Sequence, residues 1–247
     1  MAGFDELTRG TPRFDKIVVL LVDKRIQERE RLRNDIVENM GQEPEFFVVG
    51  DGDILPKEEY SRIDVPMPRR VKGHRKWKRL PHSYNAFLSF QAIIKNGQEK
   101  GHKNILIFED DIEFVPGFKD KFAKSCEALP SNWDLFYLGC SHRLAKTIKI
   151  SPELLRIKGS CGFHAVAIAS RIFPMMLSLP IKCSIDMVVA ETIQQSNANL
   201  CFACWPNLVL QKPGFSCCEE FYVDRSAHWN LMGSLCRSWG RFLGESQ

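Results

Sequence analysis

The chain has 247 residues, of which 44% are apolar and 26% charged, a balance that excludes a disordered, collagen-like or coiled-coil protein as a whole. At this length it can bury roughly 70–75% of its unfolded surface, so a core needs neither disulfides nor a structural metal. The net charge of +4 is local: seven of the 34 basic residues fall between Arg69 and Arg79 with no acid among them, which points to a localised anionic partner and not to a generally basic surface.

Residues 1–15 have no periodicity and read as a loose arm. The first 16 residues carry Asp5, Glu6, Arg9, Arg13, Asp15 and Lys16 and show no apolar core of a secretory signal. No apolar run approaches the ~20 residues of a membrane span. A cytoplasmic protein without a transmembrane segment is the expectation. The nine cysteines are then expected as reduced thiols.

Lys16–Val22 (KIVVLLV) is continuously apolar and β-branched, the pattern of a strand buried on both faces. Arg25–Met40 places Ile26, Leu32, Ile36, Val37 and Met40 near one helical face, with Gly41 as its C-cap. Glu45–Val49 reads as a second strand, ending at Gly50-Asp51-Gly52. This β-α-β unit implies a parallel sheet. Residues 52–81, with four prolines and the basic run, form a long loop of the kind that is functional or disordered.

His82–Asn96 predicts a helix with Ala86, Phe87, Phe90, Ile93 and Ile94 inward, stopped by Gly97. Asn104–Phe108 is a third buried strand and runs into Glu109-Asp110-Asp111. Gly117–Leu129 predicts a helix, and Trp133–Leu138 a fourth strand ending at Gly139. Beyond it, Phe163–Ala169 predicts a strand, Arg171–Leu179 and Ser184–Ser196 helices, and Leu200–Trp205 and Asn207–Gln211 short strands around Pro206. The expectation is one α/β domain over 1–247. Residues 16–139 form a regular nucleotide-binding half with a mostly parallel, Rossmann-like sheet and helices on both faces, and 140–247 an irregular acceptor-side half.

The acidic triplet carries the most chemistry. Ligands of open α/β sheets lie at the carboxyl ends of strands. Three carboxylates there repel one another and lose solvation, so a compensating charge is needed. Mg²⁺ or Mn²⁺ supplies it, held by one or two carboxylates plus substrate phosphates. A cation against a diphosphate is the arrangement that lets a nucleoside diphosphate leave. Cys201-x-x-Cys204 with Cys217-Cys218 has a zinc-like spacing, but strand residues three apart face opposite ways.

The segment Ile105-Leu106-Ile107-Phe108-Glu109-Asp110-Asp111-Ile112-Glu113-Phe114, then Phe118, then Trp133-Asp134-Leu135-Phe136-Tyr137-Leu138-Gly139 resembles glycosyltransferase family 25, the lipooligosaccharide and procollagen galactosyltransferases. That family shows an apolar strand, an acidic EDD motif, a helix and a Trp-Asp strand ending in Leu-Gly. Other pieces are similar in order: Val18–Leu32, Phe46–Gly52, the helix start at His82–Phe90, Phe163-His164-Ala165, Ile185-Asp186, and Pro206 through Gln211 with Ser216. The resemblance covers about residues 16–217. The basic segment 69–79 is not part of the family pattern.

The resemblance implies a GT-A fold and a metal-dependent, inverting transfer of a hexose, glucose or galactose, from a UDP-sugar to an acceptor hydroxyl. Asp111 is then the first metal ligand, with Glu109 on the metal or the donor ribose, Asp110 on either, and His228 as a late further ligand. Inversion needs a base for the acceptor hydroxyl, and Asp186 is the candidate. Arg25, Arg29, Asp51 and Asn85 are candidates for the donor pocket. Arg75, Lys76, Trp77 and His164 are candidates for the acceptor, a glycan or another hydroxyl-bearing molecule. Basic residues around a tryptophan also suit a phosphate backbone, so a transferase acting on a hydroxylated DNA base and a non-catalytic nucleic-acid-binding module are the alternatives. Oligomeric state is not legible.

Overall fold

The computed structural model describes residues 14–50, 81–142, 144–181, 184–216 and 221–223. Strand β1 (Lys16–Val22) leads through a 3₁₀ turn (Asp23–Glu28) into helix α1 (Arg29–Met40) and strand β2 (Glu45–Val49). After helix α2 (Pro81–Glu99) come β3 (Asn104–Glu109), a short β4 (Ile112–Phe114), α3 (Phe118–Ala128) and β5 (Leu135–His142). A hairpin of β6 (Ile148–Ser151) and β7 (Leu154–Arg156) precedes the long β8 (Ser160–Ala169). Helices α4 (Phe173–Leu177) and α5 (Ile185–Thr192) follow, then β9 (Cys201–Cys204), β10 (Val209–Gln211), β11 (Gly214–Ser216) and β12 (Phe221–Val223).

Eight strands make one sheet in the order β2-β1-β3-β8-β5-β9-β7-β6. β1 pairs in parallel with β2 and β3, and β5 with β9. β8 runs against β3 and β5, and β7 against β9 and β6. The sheet is therefore mostly parallel in direction, with β8 and β7 reversed. The expected α/β class, a large mostly parallel sheet with helices on both faces, is what forms.

The physical cause lies in β1 and its neighbours. Five consecutive buried residues can be satisfied only if both faces are covered. Ile17, Val19 and Leu21 pack with Leu32 and Ile36 of α1 and Phe118 and Phe122 of α3. Val18 and Leu20 pack with Phe87, Phe90 and Ile94 of α2 and Phe173 and Met176 of α4. An aromatic ladder stiffens the first face: Phe114, Phe118, Phe122 and Phe136 follow one another at centroid separations of 4.8, 5.2 and 6.2 Å, within the range of favourable ring pairs.

Several predicted boundaries move, each for a local reason. Helix α2 passes Gly97 and reaches Glu99. A Cβ at Gly97 would lie 3.2 Å from Ile105 Cγ2, so this glycine lets the helix lie close on β3. The chain turns at Gly101, whose φ of 70° is left-handed and suits glycine. The helix expected over Arg25–Met40 is broken at Arg25 (φ −110°, ψ 20°), and its first part winds as a 3₁₀ turn. Gly41 caps α1 as expected, at φ 66°.

Strand β5 does not stop at Gly139 but continues to His142, with two bulges against β8. Asn207 makes this possible by acting as a short strand partner. Its Oδ1 accepts from the Cys140 N–H (3.1 Å) and its Nδ2 donates to the Cys140 carbonyl (3.0 Å). At the other end Trp133 and Asp134 precede the strand, because the Asp134 carboxylate accepts the Leu200 N–H at 2.7 Å and pairs with Arg171. Helices α4 and α5 are shorter than expected. The β6–β7 hairpin and β4 have no counterpart in the sequence reading, since strands of three or four residues are too short to show a period.

Cys201 and Cys204 face opposite sides of β9. Cys201 lies in the cluster with Tyr137 and Ile168, and Cys204 in the cluster with Phe136 and Leu138. The two thiols of the zinc-like spacing therefore cannot reach one ion. The expected loop 52–81 falls almost wholly outside the described residues. Among the described residues no helix is long and apolar enough to cross a membrane.

Candidate functional site

The carboxyl ends of β1, β3 and β5 share one edge of the sheet, and the reversed β8 begins at that same edge. Glu109 closes β3, and Asp110 and Asp111 turn the chain into β4. β10 pairs antiparallel with β4, Gln211 opposite Ile112 and Val209 opposite Phe114. The Lys212 N–H donates to the Asp111 carbonyl at 2.7 Å. The acidic turn is thus clamped between the β1 end on one side and β10 on the other.

The three carboxylates divide into two roles. Asp110 is buried, with 6% of its surface exposed. Its Oδ2 accepts the Val22 N–H at 2.9 Å and its Oδ1 accepts from the Arg25 guanidinium at 2.6 Å. A buried carboxylate satisfied in this way by a charged donor and a backbone N–H fastens the β1 end to the β3 end. Glu109 and Asp111 are only half-buried. Their oxygens gather on one atom: Gln211 Nε2 lies 3.1 Å from Glu109 Oε2 and 3.5 Å from each oxygen of Asp111.

The turn after β1, which reaches the acidic turn through Arg25 and Asp110, gathers basic residues around Glu28. The Glu28 carboxyl, on the turn after β1, is held below its ordinary value by its hydrogen bond to Arg31, against the upward push of burial. The charges of Arg31, Lys212 and Arg25 add to the lowering. Arg25 therefore belongs to the site, through Asp110. Arg29 is exposed, and its guanidinium lies 4.9 Å over the Phe46 ring on β2. Asn85, in the first turns of α2, is 4% exposed and its carbonyl accepts from Ser89 Oγ at 2.7 Å.

Asp186 stands in the first turn of α5. Its Oδ2 accepts the Gly162 N–H at 2.9 Å and its Oδ1 the Met187 N–H at 2.9 Å. Gly162 belongs to the opening of β8, three residues before the Ala165 that pairs with Phe108. The structure thereby brings Asp186 to the same sheet edge as the acidic turn. His164 is completely buried, and its Nε2 lies 3.1 Å from the Val209 carbonyl, so it pins β8 to β10 behind the acidic turn. Asp51, Arg75, Lys76, Trp77 and His228 lie outside the described residues, as does the whole basic segment 69–79 on which the DNA and nucleic-acid-module readings rest.

Two groups at this edge escaped the sequence reading. Gln211 was noted only as part of a closing motif; its approach to residues about a hundred positions away leaves no local signal. A buried polar knot at the start of β8 was not seen at all. Gln194 Oε1 accepts the Ser160 N–H at 2.7 Å, and its Nε2 donates to the Ser160 carbonyl at 2.8 Å and to Tyr137 Oη at 3.0 Å. His142 Nδ1 lies 2.8 Å from Ser160 Oγ. Burial pushes the His142 imidazole down to about 4.

Comparison with known proteins agrees with the motif resemblance. The chain is 28% identical over 126 residues to a glycosyltransferase 25 family member of Aedes aegypti, a match that covers 50% of this chain and 21% of that protein. The chain thus spans about a fifth of the length of the curated relative it matches. No family model matches the chain. Among solved structures, a glycosyltransferase involved in glycosylation of the major capsid of PBCV-1 aligns over 87% of this chain and 99% of its own, at 12% identity and a TM-score of 0.43. A197 from STIV aligns over 76% and 81%, at 10% identity and a TM-score of 0.40.

Proposed function

We propose that this chain is a glycosyltransferase that moves a hexose from a UDP-sugar to an acceptor hydroxyl with inversion, using Mn²⁺ or Mg²⁺ held by Glu109 and Asp111. The observation that carries the reading is the division of the acidic triplet: Asp110 is engaged by Arg25 and Val22, while the outer two carboxylates meet at one point on the open edge of the sheet.

The donor set suits a hard cation. It consists of the two carboxylates of Glu109 and Asp111; among the described residues no group of three or more His, Cys, Asp or Glu side chains is placed to hold an ion. Mg²⁺ and Mn²⁺ sites commonly use one or two carboxylates and leave the remaining positions to water and substrate phosphates. When bound, the ion neutralises the charge that develops on the departing diphosphate. Arg25, bonded to Asp110, and Lys212, whose backbone N–H bonds the Asp111 carbonyl, are the basic residues next to the acidic turn and would favour phosphates there. The GT-A architecture implied by the motif resemblance belongs to the same proposal.

Asp186 is the base of this reading. The acceptor oxygen forms its bond to the anomeric carbon as the bond to the nucleoside diphosphate breaks. The hydroxyl proton passes to the Asp186 carboxylate and UDP leaves with the electron pair. The Gly162 and Met187 N–H groups hold the Asp186 carboxylate beside the opening of β8, and a base acts only when its geometry is fixed. The basic segment Arg69–Arg79 suits an acceptor glycan that carries negative charge.

The test is UDP release from a panel of sugar nucleotides, with Mn²⁺ and with EDTA. Turnover of a UDP-hexose that EDTA stops, and that Asp111→Ala abolishes, is the expected result. No turnover of any donor, together with no thermal shift by UDP plus Mn²⁺, would overturn the reading.

A further inference from the structure

Helix α5 is tied to β8 at its start and again just beyond its end. At the start the Asp186 carboxylate accepts the Gly162 N–H at 2.9 Å. Beyond the end stands Gln194, whose own N–H still bonds the Val189 carbonyl of the helix at 3.0 Å. Its side chain takes both backbone groups of Ser160: Oε1 accepts the N–H at 2.7 Å and Nε2 donates to the carbonyl at 2.8 Å. The same Nε2 donates to Tyr137 Oη on β5 at 3.0 Å. One amide thus joins the helix, β8 and β5. Gln194, Ser160 and Tyr137 are all buried, and a buried polar network with its bonds made rigidifies what it joins.

The sheet leaves this stretch of β8 to the helix. β8 pairs with β5 at Ser160 and Cys161 and again from Ala165, with the register shifting between, and it pairs with β3 from Ala165 on. Gly162 falls in the gap, at a φ of 98°, a left-handed conformation that suits glycine. Its N–H goes to Asp186, and the place of that N–H depends on Ser160, two residues and about 7 Å earlier along the strand.

We infer that Gln194 is a positioning residue for Asp186: by fixing Ser160 against both α5 and β5 it sets the place of Gly162, and so of the carboxylate that takes the acceptor proton. This rests on Asp186 being the base of the transfer proposed above. Gln194 acts through the orientation of one carboxylate and touches no substrate itself.

The test is a double-mutant cycle on UDP release from the UDP-hexose that the unchanged protein turns over fastest, with water as the attacking hydroxyl, whose proton the same base takes. Asp186→Asn should lower kcat at least about a hundredfold. Gln194→Met keeps the length of the side chain and removes the amide. It should lower kcat about tenfold or more and leave the KM of the donor nearly unchanged. The two together should cost no more than Asp186→Asn alone, because a base already removed cannot be misplaced. Losses that multiply, as a merely structural Gln194 would give, or full turnover in Gln194→Met, overturn the inference and leave Asp186 as the base. If Gln194→Met does not fold, Tyr137→Phe decides. It removes only the Oη that Gln194 reaches, and should lower kcat alone but not in the Asp186→Asn background; an unchanged kcat overturns the inference. Full turnover in Asp186→Asn removes the base, no UDP release from any donor removes the transferase reading, and the inference falls with either.

Discussion

Arg25 holds Asp110 through a 2.6 Å charged hydrogen bond on which the Val22 N–H also converges, and this contact removes the middle carboxylate from the chemistry of its neighbours. The acidic motif is thus an anchor flanked by two half-buried carboxylates that both approach Gln211. Arg25 sits at the one non-helical residue of the turn after β1, so the residue that bonds Asp110 is also where the turn departs from helical geometry.

The division predicts opposite phenotypes within three consecutive residues. Asp110→Ala removes the carboxylate that accepts from Arg25 and from the Val22 N–H, and should destabilise the fold by about 1–3 kcal/mol. Asp111→Ala should leave the urea midpoint nearly unchanged and reduce transfer at least about a hundredfold. Parallel denaturation curves and UDP-release assays on the two variants separate the roles. Equal loss of stability in both would contradict the assignment.

Gly139 predicts a severe packing defect. A Cβ there would lie 1.9 Å from the Val209 carbonyl oxygen and 2.6 Å from His164 Nε2. Neither neighbour can yield, because the two are bonded to each other across β8 and β10. Gly139→Ala should lower stability by about 3 kcal/mol, measured by urea denaturation. A variant as stable as the unchanged protein would mean that β10 is not held where the structure has it.

His142 predicts a fall of stability in weak acid. The unfolded chain takes up this proton below its ordinary value of 6.5, whereas the folded protein resists it until about 4. Stability is therefore complete above 6.5 and declines as pH falls toward 4. The displacement is worth about 3 kcal/mol. Urea midpoints at pH 7 and pH 4.5 should differ less in His142→Gln than in the unchanged protein. An identical pH dependence in the two proteins would remove His142 as its source.

Thiol reactivity follows from burial. Burial pushes the Cys201 and Cys204 thiols up to about 12 and raises Cys140 and Cys126 as well. A thiol reacts as its thiolate, so iodoacetamide at pH 8 should leave all four unmodified in the folded protein and label them in denaturant. Mass spectrometry of the digested protein reads the result directly. Rapid labelling of Cys204 under native conditions would show that β9 is not buried on both faces.

The sequence by itself determined the elements whose signal is local. Lys16–Val22 and Asn104–Phe108 are strands because runs of buried β-branched residues have few other conformations that bury them. Gly41 ends its helix because only a left-handed residue fits there. The acidic turn was legible as a site for the same reason, since three charges after a buried strand need no partner to be conspicuous. What the three charges do was decided by tertiary structure alone. Arg25 and Gln211 lie 85 and about a hundred residues from the carboxylates they contact. The stop at Gly97 and the end at Gly139 were misread because each glycine answers a close approach from another element, Ile105 in one case and the Val209 carbonyl in the other. A glycine with no side chain looks the same in sequence whether it breaks a helix or makes room for a neighbour, and only the packed chain distinguishes the two.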